Sequence, residues 1–241
     1  FLPYARQMVN TWKSASEHLL QTRLMEESEI RITSSSTPGT YIIPSLIYLF
    51  RQSYPYITVI NHIQYTRSAI SDVIGGNFFL GIISQPASVG TDVLCCEPLM
   101  EDPLVLVVHP QHPWAEKRGI LFKEITEETL LISNPNTSLV NYLEKEGRLS
   151  LEPSRLYVAG NIEAIKRGIR NHQGISIMSE YAVRQELELG LLKQVPLLDH
   201  PGLKRQLYTI FRKDTRFKLS TSLFLEFFRK AAEDTRLLSQ L

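Results

Sequence analysis

The chain has 241 residues, 43% of them hydrophobic, and a formal net charge of +1. That length accommodates one large or two smaller domains, the near-neutral charge lacks the clustered basic footprint of a nucleic-acid-binding domain, and no stretch approaches the ~18 apolar residues of a membrane span. No basic-then-apolar export signal opens the sequence. The only cysteines, Cys95 and Cys96, are neighbours on an expected strand and so point to opposite faces, which disfavours a disulfide and fits a reducing, cytoplasmic setting.

Residues 1–28 contain no Gly and a single Pro, Pro3, at a position that a first helical turn tolerates. Phe1, Ala5, Met8, Trp12, Ala15 and Leu19 step by 4, 3, 4, 3 and 4, the heptad alternation of a seam between two helices rather than of a helix lying on its own domain. An intermolecular helix is expected here. From Glu29 the pattern changes to alternating strands and helices, which predicts parallel strands with helices on both faces. Glu29–Thr33 reads as a strand, Thr40–Ser53 as a helix, Ile57–Ile63 as a strand, Arg67–Gly75 as a helix and Phe79–Ser84 as a strand. Two further strands, Val93–Met100 and Leu104–His109, are expected on either side of Glu101-Asp102-Pro103.

The stretch His109-Pro110-Gln111-His112-Pro113 interrupts regular structure and marks passage into a second lobe. Beyond it the alternation resumes: strand Leu130–Ser133, helix Ser138–Glu146, strand Arg155–Ala159, helix Ile162–Arg170, strand Ile175–Met178 and helix Glu180–Leu187. Strands Leu191–Val195 and Gln206–Phe211 and a closing helix Leu223–Ala232 complete the chain.

The chemistry-bearing residues gather at strand-to-helix turns. Thr33-Ser34-Ser35-Ser36-Thr37 is a run of five hydroxyls between a strand and a helix. Such a run either supplies donors for a carboxylate, phosphate or sulfate or caps the helix with one hydroxyl and leaves the rest in solvent. It is not a Walker loop, because the Gly-Lys-Ser/Thr ending is missing. Tyr65-Thr66-Arg67-Ser68 follows the second strand, with Arg67 suited to bidentate pairing with a carboxylate or standing as a plain surface charge. Ser133-Asn134 and Gly160-Asn161 open two later helices, and Asn161 is a natural cap. Ligands of open parallel sheets lie outside the carboxyl ends of the strands, so four such turns point to one polar cleft. Catalytic signals are poor. His109 and His112 have no Cys or Glu at zinc spacing, no nucleophile elbow or His-Glu-x-x-His is present, and no hydroxyl has an evident base. No metal, cofactor or enzymatic activity is expected.

Several ordered segments carry a family resemblance. Glu29-Ile30-Arg31-Ile32 through Ser35-Ser36-Thr37-Pro38-Gly39 is similar to the first strand–turn–helix of the LysR-type transcriptional regulators. Phe50-Arg51-Gln52-Ser53-Tyr54-Pro55 resembles their "F-x-x-x-Y-P" helix ending, and Glu97-Pro98-Leu99, Leu104-Val105-Leu106-Val107 and His112-Pro113-Trp114-Ala115 resemble their "E-P-L … L-V-L-V … H-P-L-A" stretch. Glu163-Ala164-Ile165-Lys166 with Gly174-Ile175-Ser176-Ile177-Met178 and the late strand at Leu207–Lys213 extend the likeness over about residues 29–230. The sequence departs from the pattern at Phe79, where an acidic residue is common, and at Ser179, where Pro is common.

The resemblance implies an α/β fold of two Rossmann-like lobes of the type-2 periplasmic-binding-protein kind, joined by crossing strands and preceded by a linker and dimerisation helix over residues 1–28. The first lobe would comprise 29–106 plus 207–235 and the second 107–206. It also implies a small anionic effector in the cleft, held by Ser35, Ser36, Thr37, Thr66, Arg67 and Ser84 from one lobe and Asn134 and Asn161 from the other. Assembly as a homodimer or homotetramer follows, with DNA contacted only through an amino-terminal winged helix-turn-helix that this sequence does not contain, and with no membrane partner. A stripe of Ile42, Leu46, Leu49 and Phe50 serves either subunit contact or the core. The alternatives on a bilobal frame are the solute-binding protein of a transporter and an enzyme with a base in its cleft.

Overall fold

A computed structural model describes residues 2–26, 29–84, 92–135, 139–141, 143 and 152–233. Helix α1 (Leu2–Glu26) comes first. Then follow β1 (Glu29–Ser35), α2 (Ser36–Tyr41), α3 (Ile43–Ser53), β2 (Thr58–Gln64), α4 (Thr66–Ile74) and β3 (Leu80–Ser84). The long strand β4 (Leu94–Val108), β5 (Leu130–Ile132), β6 (Leu156–Val158), α5 (Ile162–Arg170), β7 (Ser176–Ser179) and α6 (Glu180–Glu188) succeed them, before β8 (Lys193–Val195), β9 (Lys204–Arg212) and α7 (Leu219–Glu233).

The first lobe's sheet runs β2-β1-β3-β9-β4. β1 pairs in parallel with β2 and β3, whereas β9 is antiparallel to both β3 and β4. The sheet is therefore mixed, and the all-parallel expectation fails at the two strands that cross between lobes. One face packs Ile30, Ile32, Leu80 and Ile82 against Leu46 and Phe50 of α3 and Phe224 and Phe228 of α7. The opposite face packs Ile83, Leu94 and Ile210 under Ala69 and Val73 of α4. In the second lobe the carboxyl end of β4 is antiparallel to β7 and β8, and β5 joins β7 through the Leu130–Ile175 bridge and pairs with β6. Period-two alternation divides β4 between two cores: Leu104, Leu106 and Val108 enter one, and Val105 and Val107 enter the other beside Ile165 and Val183. Burial on both faces explains the continuous apolar run Leu104–Val108.

Two expected elements differ. The helix expected over Thr40–Ser53 is two helices, and the first starts earlier, at Ser36. Pro38 falls in the first turn of α2, where a missing N–H costs no intrahelical bond. The break comes at Ile42 (φ −115°, ψ −56°), and Pro44 then sits in the first turn of α3. Likewise Val93–Met100 and Leu104–His109 are one strand. Over 94–103, β4 pairs only with β9, so Pro98 and Pro103 lie along an edge where no ladder donor is needed, with a register shift between Pro98 and Met100. The expected helix Ser138–Glu146 lies largely outside the described residues, of which 139–141 and 143 are helical.

Of the Ile42, Leu46, Leu49 and Phe50 stripe, Ile42, Leu46 and Phe50 are fully buried in the first-lobe core, whereas Leu49 is only half-buried. By contrast α1 leaves its apolar side chains uncovered: Met8 is 67% and Trp12 75% exposed, and Leu2 and Val9 are exposed beside them. Phe1 and the side chain of Leu19, the two ends of the expected seam, lie outside what is described. Cys95 and Cys96 are free thiols, both half-buried.

Candidate functional site

β1, β2 and β3 end side by side at Ser35, Gln64 and Ser84, so their carboxyl ends form one rim. Across from it stand the ends of β5 and β7 and the start of α5. Between them is a cleft of about 660 Å³ whose lining includes all eight sequence-predicted residues: Ser35, Ser36, Thr37, Thr66, Arg67 and Ser84 on one side, Asn134 and Asn161 on the other.

The five hydroxyls at the end of β1 have different employments. Thr33 Oγ1 donates to the His62 carbonyl (3.3 Å) and accepts from Gln64 Nε2 (2.8 Å). Ser34 Oγ donates to Asn61 Oδ1 (2.7 Å), and Asn61 Nδ2 donates to the Gly39 carbonyl (3.1 Å), fixing the loop to β2. A Cβ at Gly39 would lie 2.3 Å from Ser34 Oγ, so glycine is required there by close approach. Ser35, buried, accepts from the Ser84 backbone N–H (2.9 Å) and lies 3.3 Å from Ser84 Oγ, which ties the ends of β1 and β3. Thr37 Oγ1 accepts from Arg205 Nη2 (2.9 Å). Neither Ser35, at the cap of α2, nor Tyr65, at the cap of α4, makes a side-chain cap bond. Asn161 does: its Oδ1 accepts from the Ala164 N–H at 2.9 Å, as its position before an Ile162/Ile165/Ile169 helix predicts.

Sequence reasoning missed the buried pair beneath this rim. Asp102 on β4 and Arg205 on β9 face each other across the crossing strands. Arg205 Nε donates to Asp102 Oδ2 at 2.7 Å, and Ser179 Oγ, from the second lobe, donates to Asp102 Oδ1. Asp102 is fully buried and Arg205 is 6% exposed, yet Arg205 also lines the cleft. No local pattern marks the pair, whose members lie 103 residues apart.

A second bridge joins the two lobes. Tyr41 of α2 donates its hydroxyl to Glu163 Oε1 of α5 (2.9 Å), and the buried Lys166 joins Glu163 (2.7 Å) to Glu186 (2.8 Å). Burial and the adjacent Glu163 push the Tyr41 phenol above its usual range. Burial opposes ionisation of Glu163, but the hydrogen bonds from Lys166 and Tyr41 outweigh it and hold this carboxyl below the ordinary range. Among the described residues the lining holds two arginines and no carboxylate, with an aliphatic wall from the second lobe. Also among them, no group of three or more His, Cys, Asp or Glu is placed to hold a metal ion, and no helix is long and apolar enough to cross a membrane. His109 and His112 lie at a turn, with the His109 ring tilted by 36° against that of His172 at 3.6 Å between ring centroids.

The fold has known counterparts. Residues 25–233 match the family model described as the LysR substrate binding domain. A protein of Cyanidioschyzon merolae named a probable RuBisCO transcriptional regulator is 28% identical over 217 residues, covering 87% of this chain and 71% of that protein. Its namesake in Cyanidium caldarium is 29% identical over 226 residues, covering 92% and 71%. Among solved structures, the Synechocystis PCC6803 CcmR regulatory domain in complex with 2-PG superposes with a TM-score of 0.75 at 23% identity, covering 86% of this chain and 98% of that one.

Proposed function

Because the chain belongs to the LysR substrate-binding domain family, and is the effector-binding domain of a LysR-type regulator, we propose that its inter-lobe cleft grips a small polar or anionic metabolite and releases it chemically unchanged. One observation carries this reading: hydroxyl and amide side chains from both lobes converge on a single cleft that has cationic but no acidic side chains among its described lining residues. Ser35, Ser36, Thr37, Thr66, Arg67 and Ser84 present donors from the first lobe, and Asn134 and Asn161 face them from the second, with the lobes built from 29–106 plus 207–235 and from 107–206.

The regulator acts on transcription in the cytoplasm as a homodimer or homotetramer, and DNA is contacted by a separate amino-terminal domain to which α1 relays the signal. The exposed stripe of α1 supports its pairing with the same helix of another subunit. Signalling requires that the effector bind one lobe arrangement better than another, since equal binding shifts nothing. A coupling of about 1–3 kcal/mol is the usual scale. The bridges between lobes that such a ligand would tighten or loosen are Tyr41–Glu163 and Ser179–Asp102–Arg205.

The test is isothermal titration calorimetry of a panel of small carboxylates and phosphates, including the 2-PG bound by the CcmR domain, against the native protein and the Ser35→Ala and Thr66→Ala variants. Ligands of this cleft lose affinity by about tenfold per truncated donor. Binding that ignores both truncations would place the site elsewhere.

A further inference from the structure

We propose that Tyr41 is a positioning residue of the cleft: it plugs a socket preformed in the second lobe and so sets the separation of the two rims before any ligand enters. The consequence for binding rests on the reading of the cleft as the effector site, but rim separation itself is measurable without a ligand.

The socket is complete without Tyr41. Lys166 is buried, and its ammonium has three donors. They go to Glu163 Oε1 (2.7 Å), Glu186 Oε1 (2.8 Å) and the Ala182 carbonyl (3.2 Å), all on α5 and α6 of the second lobe. A buried cation needs such partners, so the three groups hold one another in place whether or not the first lobe is near. Glu163 Oε1 has a second lone pair to offer, and the Tyr41 hydroxyl donates to it at 2.9 Å. The ammonium also lies 5.4 Å from the centroid of the Tyr41 ring, within reach of cation–π attraction. Burial pushes the phenol above its usual range, so the hydroxyl stays a donor.

The plug is anchored on its own side. The Gly39 carbonyl accepts from Asn61 of β2, and Ile42, next to Tyr41, is fully buried in the first-lobe core. α2 carries Ser36 and Thr37 on one rim of the cleft, and α5 carries Ile162 and Ile165, with its cap Asn161, on the other. Among the described lining residues neither Tyr41 nor Glu163 appears. One hydrogen bond between the last residue of α2 and the first turn of α5 therefore fixes how far apart the facing side chains stand, without touching what they hold. Fixing that spacing in advance lowers the ordering cost that binding would otherwise meet. The Ser179–Asp102–Arg205 bridge is poorly placed for this task. Asp102 and Arg205 lie on the strands that the lobes share, where rotation of one lobe against the other moves atoms least.

Double electron–electron resonance in the ligand-free chain tests the proposal. Nitroxide labels are placed on Ser53→Cys and Glu188→Cys, exposed positions of the first and second lobes, in a Cys95→Ser/Cys96→Ser parent diluted with unlabelled protein. Tyr41→Phe keeps the ring over the ammonium and loses the hydroxyl bond, and it should enlarge the longer-distance population about fivefold relative to the shorter. Tyr41→Ala loses both contacts and should enlarge it roughly twentyfold. A pair within the first lobe, Ser53→Cys with the exposed Lys218→Cys, should keep its parent distance in both variants. Interlobe distances that do not lengthen in the order parent, Tyr41→Phe, Tyr41→Ala overturn the inference. So does a within-lobe change of the same size, which would make Tyr41 a stabiliser of its own lobe. Either failure leaves the cleft as the effector site, which the calorimetry of Ser35→Ala and Thr66→Ala decides separately.

Discussion

Replacing Asp102 by Asn tests what the crossing strands depend on. The carboxylate is fully buried and receives Arg205 Nε at 2.7 Å and the Ser179 hydroxyl. The amide keeps the shape but removes the charge, and its Nδ2 must face a donor wherever it points. Arg205 is left as a buried cation without a counter-ion. With charge centres ~4 Å apart and an effective dielectric of ~20, the lost attraction is about 4 kcal/mol. That agrees with the roughly 3–5 kcal/mol cost of removing one partner of a buried pair. At about 2–4 °C per kcal/mol for a chain of this size, the thermal midpoint should fall by roughly 6–20 °C. Replacing both members with apolar residues, Asp102→Leu with Arg205→Met, removes the orphaned charge and should be far less damaging. Urea denaturation followed by the fluorescence of Trp114, itself buried in the second lobe, supplies the free energies. A single variant within about 1 kcal/mol of the native protein, or a double variant as unstable as the single, would refute the reasoning.

Acid should destabilise the folded chain through its histidines. Burial, then His172 and His112, depress His109, while burial, then Lys117, depresses His112 despite the opposing Glu128. Both groups bind protons less readily when folded, so their stabilisation is complete above the ordinary histidine value of 6.5 and is lost as the pH falls below it toward the folded values. Removing the adjacent ring by His172→Asn should flatten the loss measured in urea between about pH 7.5 and about pH 5.5. On the amino-terminal helix, Trp12→Glu should raise the dissociation constant for self-association by at least about tenfold in sedimentation equilibrium. The far-ultraviolet spectrum of the lobes should not change.

Elements whose signals are local could be read from the sequence. α5 runs from Ile162 to Arg170 as expected, because Asn161 caps it and Ile162, Ile165 and Ile169 repeat at helical spacing. The strand ends that carry the hydroxyls were likewise visible, since each turn lies between an apolar strand and an apolar helix. Prolines misled at two places. Pro38 lies in a first turn and Pro103 on a sheet edge, and neither breaks the element that contains it. In the site, the eight hydroxyl, amide and guanidinium side chains lie at or beside strand ends and helix starts and line one cleft, but the Asp102–Arg205 pair is a product of tertiary register. The same holds for Tyr41 and Glu163, 122 residues apart, which meet only because two lobes face each other. Helical periodicity also could not say which apolar stripe stays uncovered. Met8 and Trp12 remain in solvent, whereas Leu46 and Phe50 are enclosed.

One consequence follows from β4 being a single unbroken strand whose first part belongs to one sheet and whose last part belongs to another. No cut in the chain frees either half intact, because a cut near Leu104 strips an outer strand from one sheet and an inner strand from its neighbour. The two halves must consequently be inherited as one piece. Any exchange of sensor modules between regulators would have to move the entire bilobal unit.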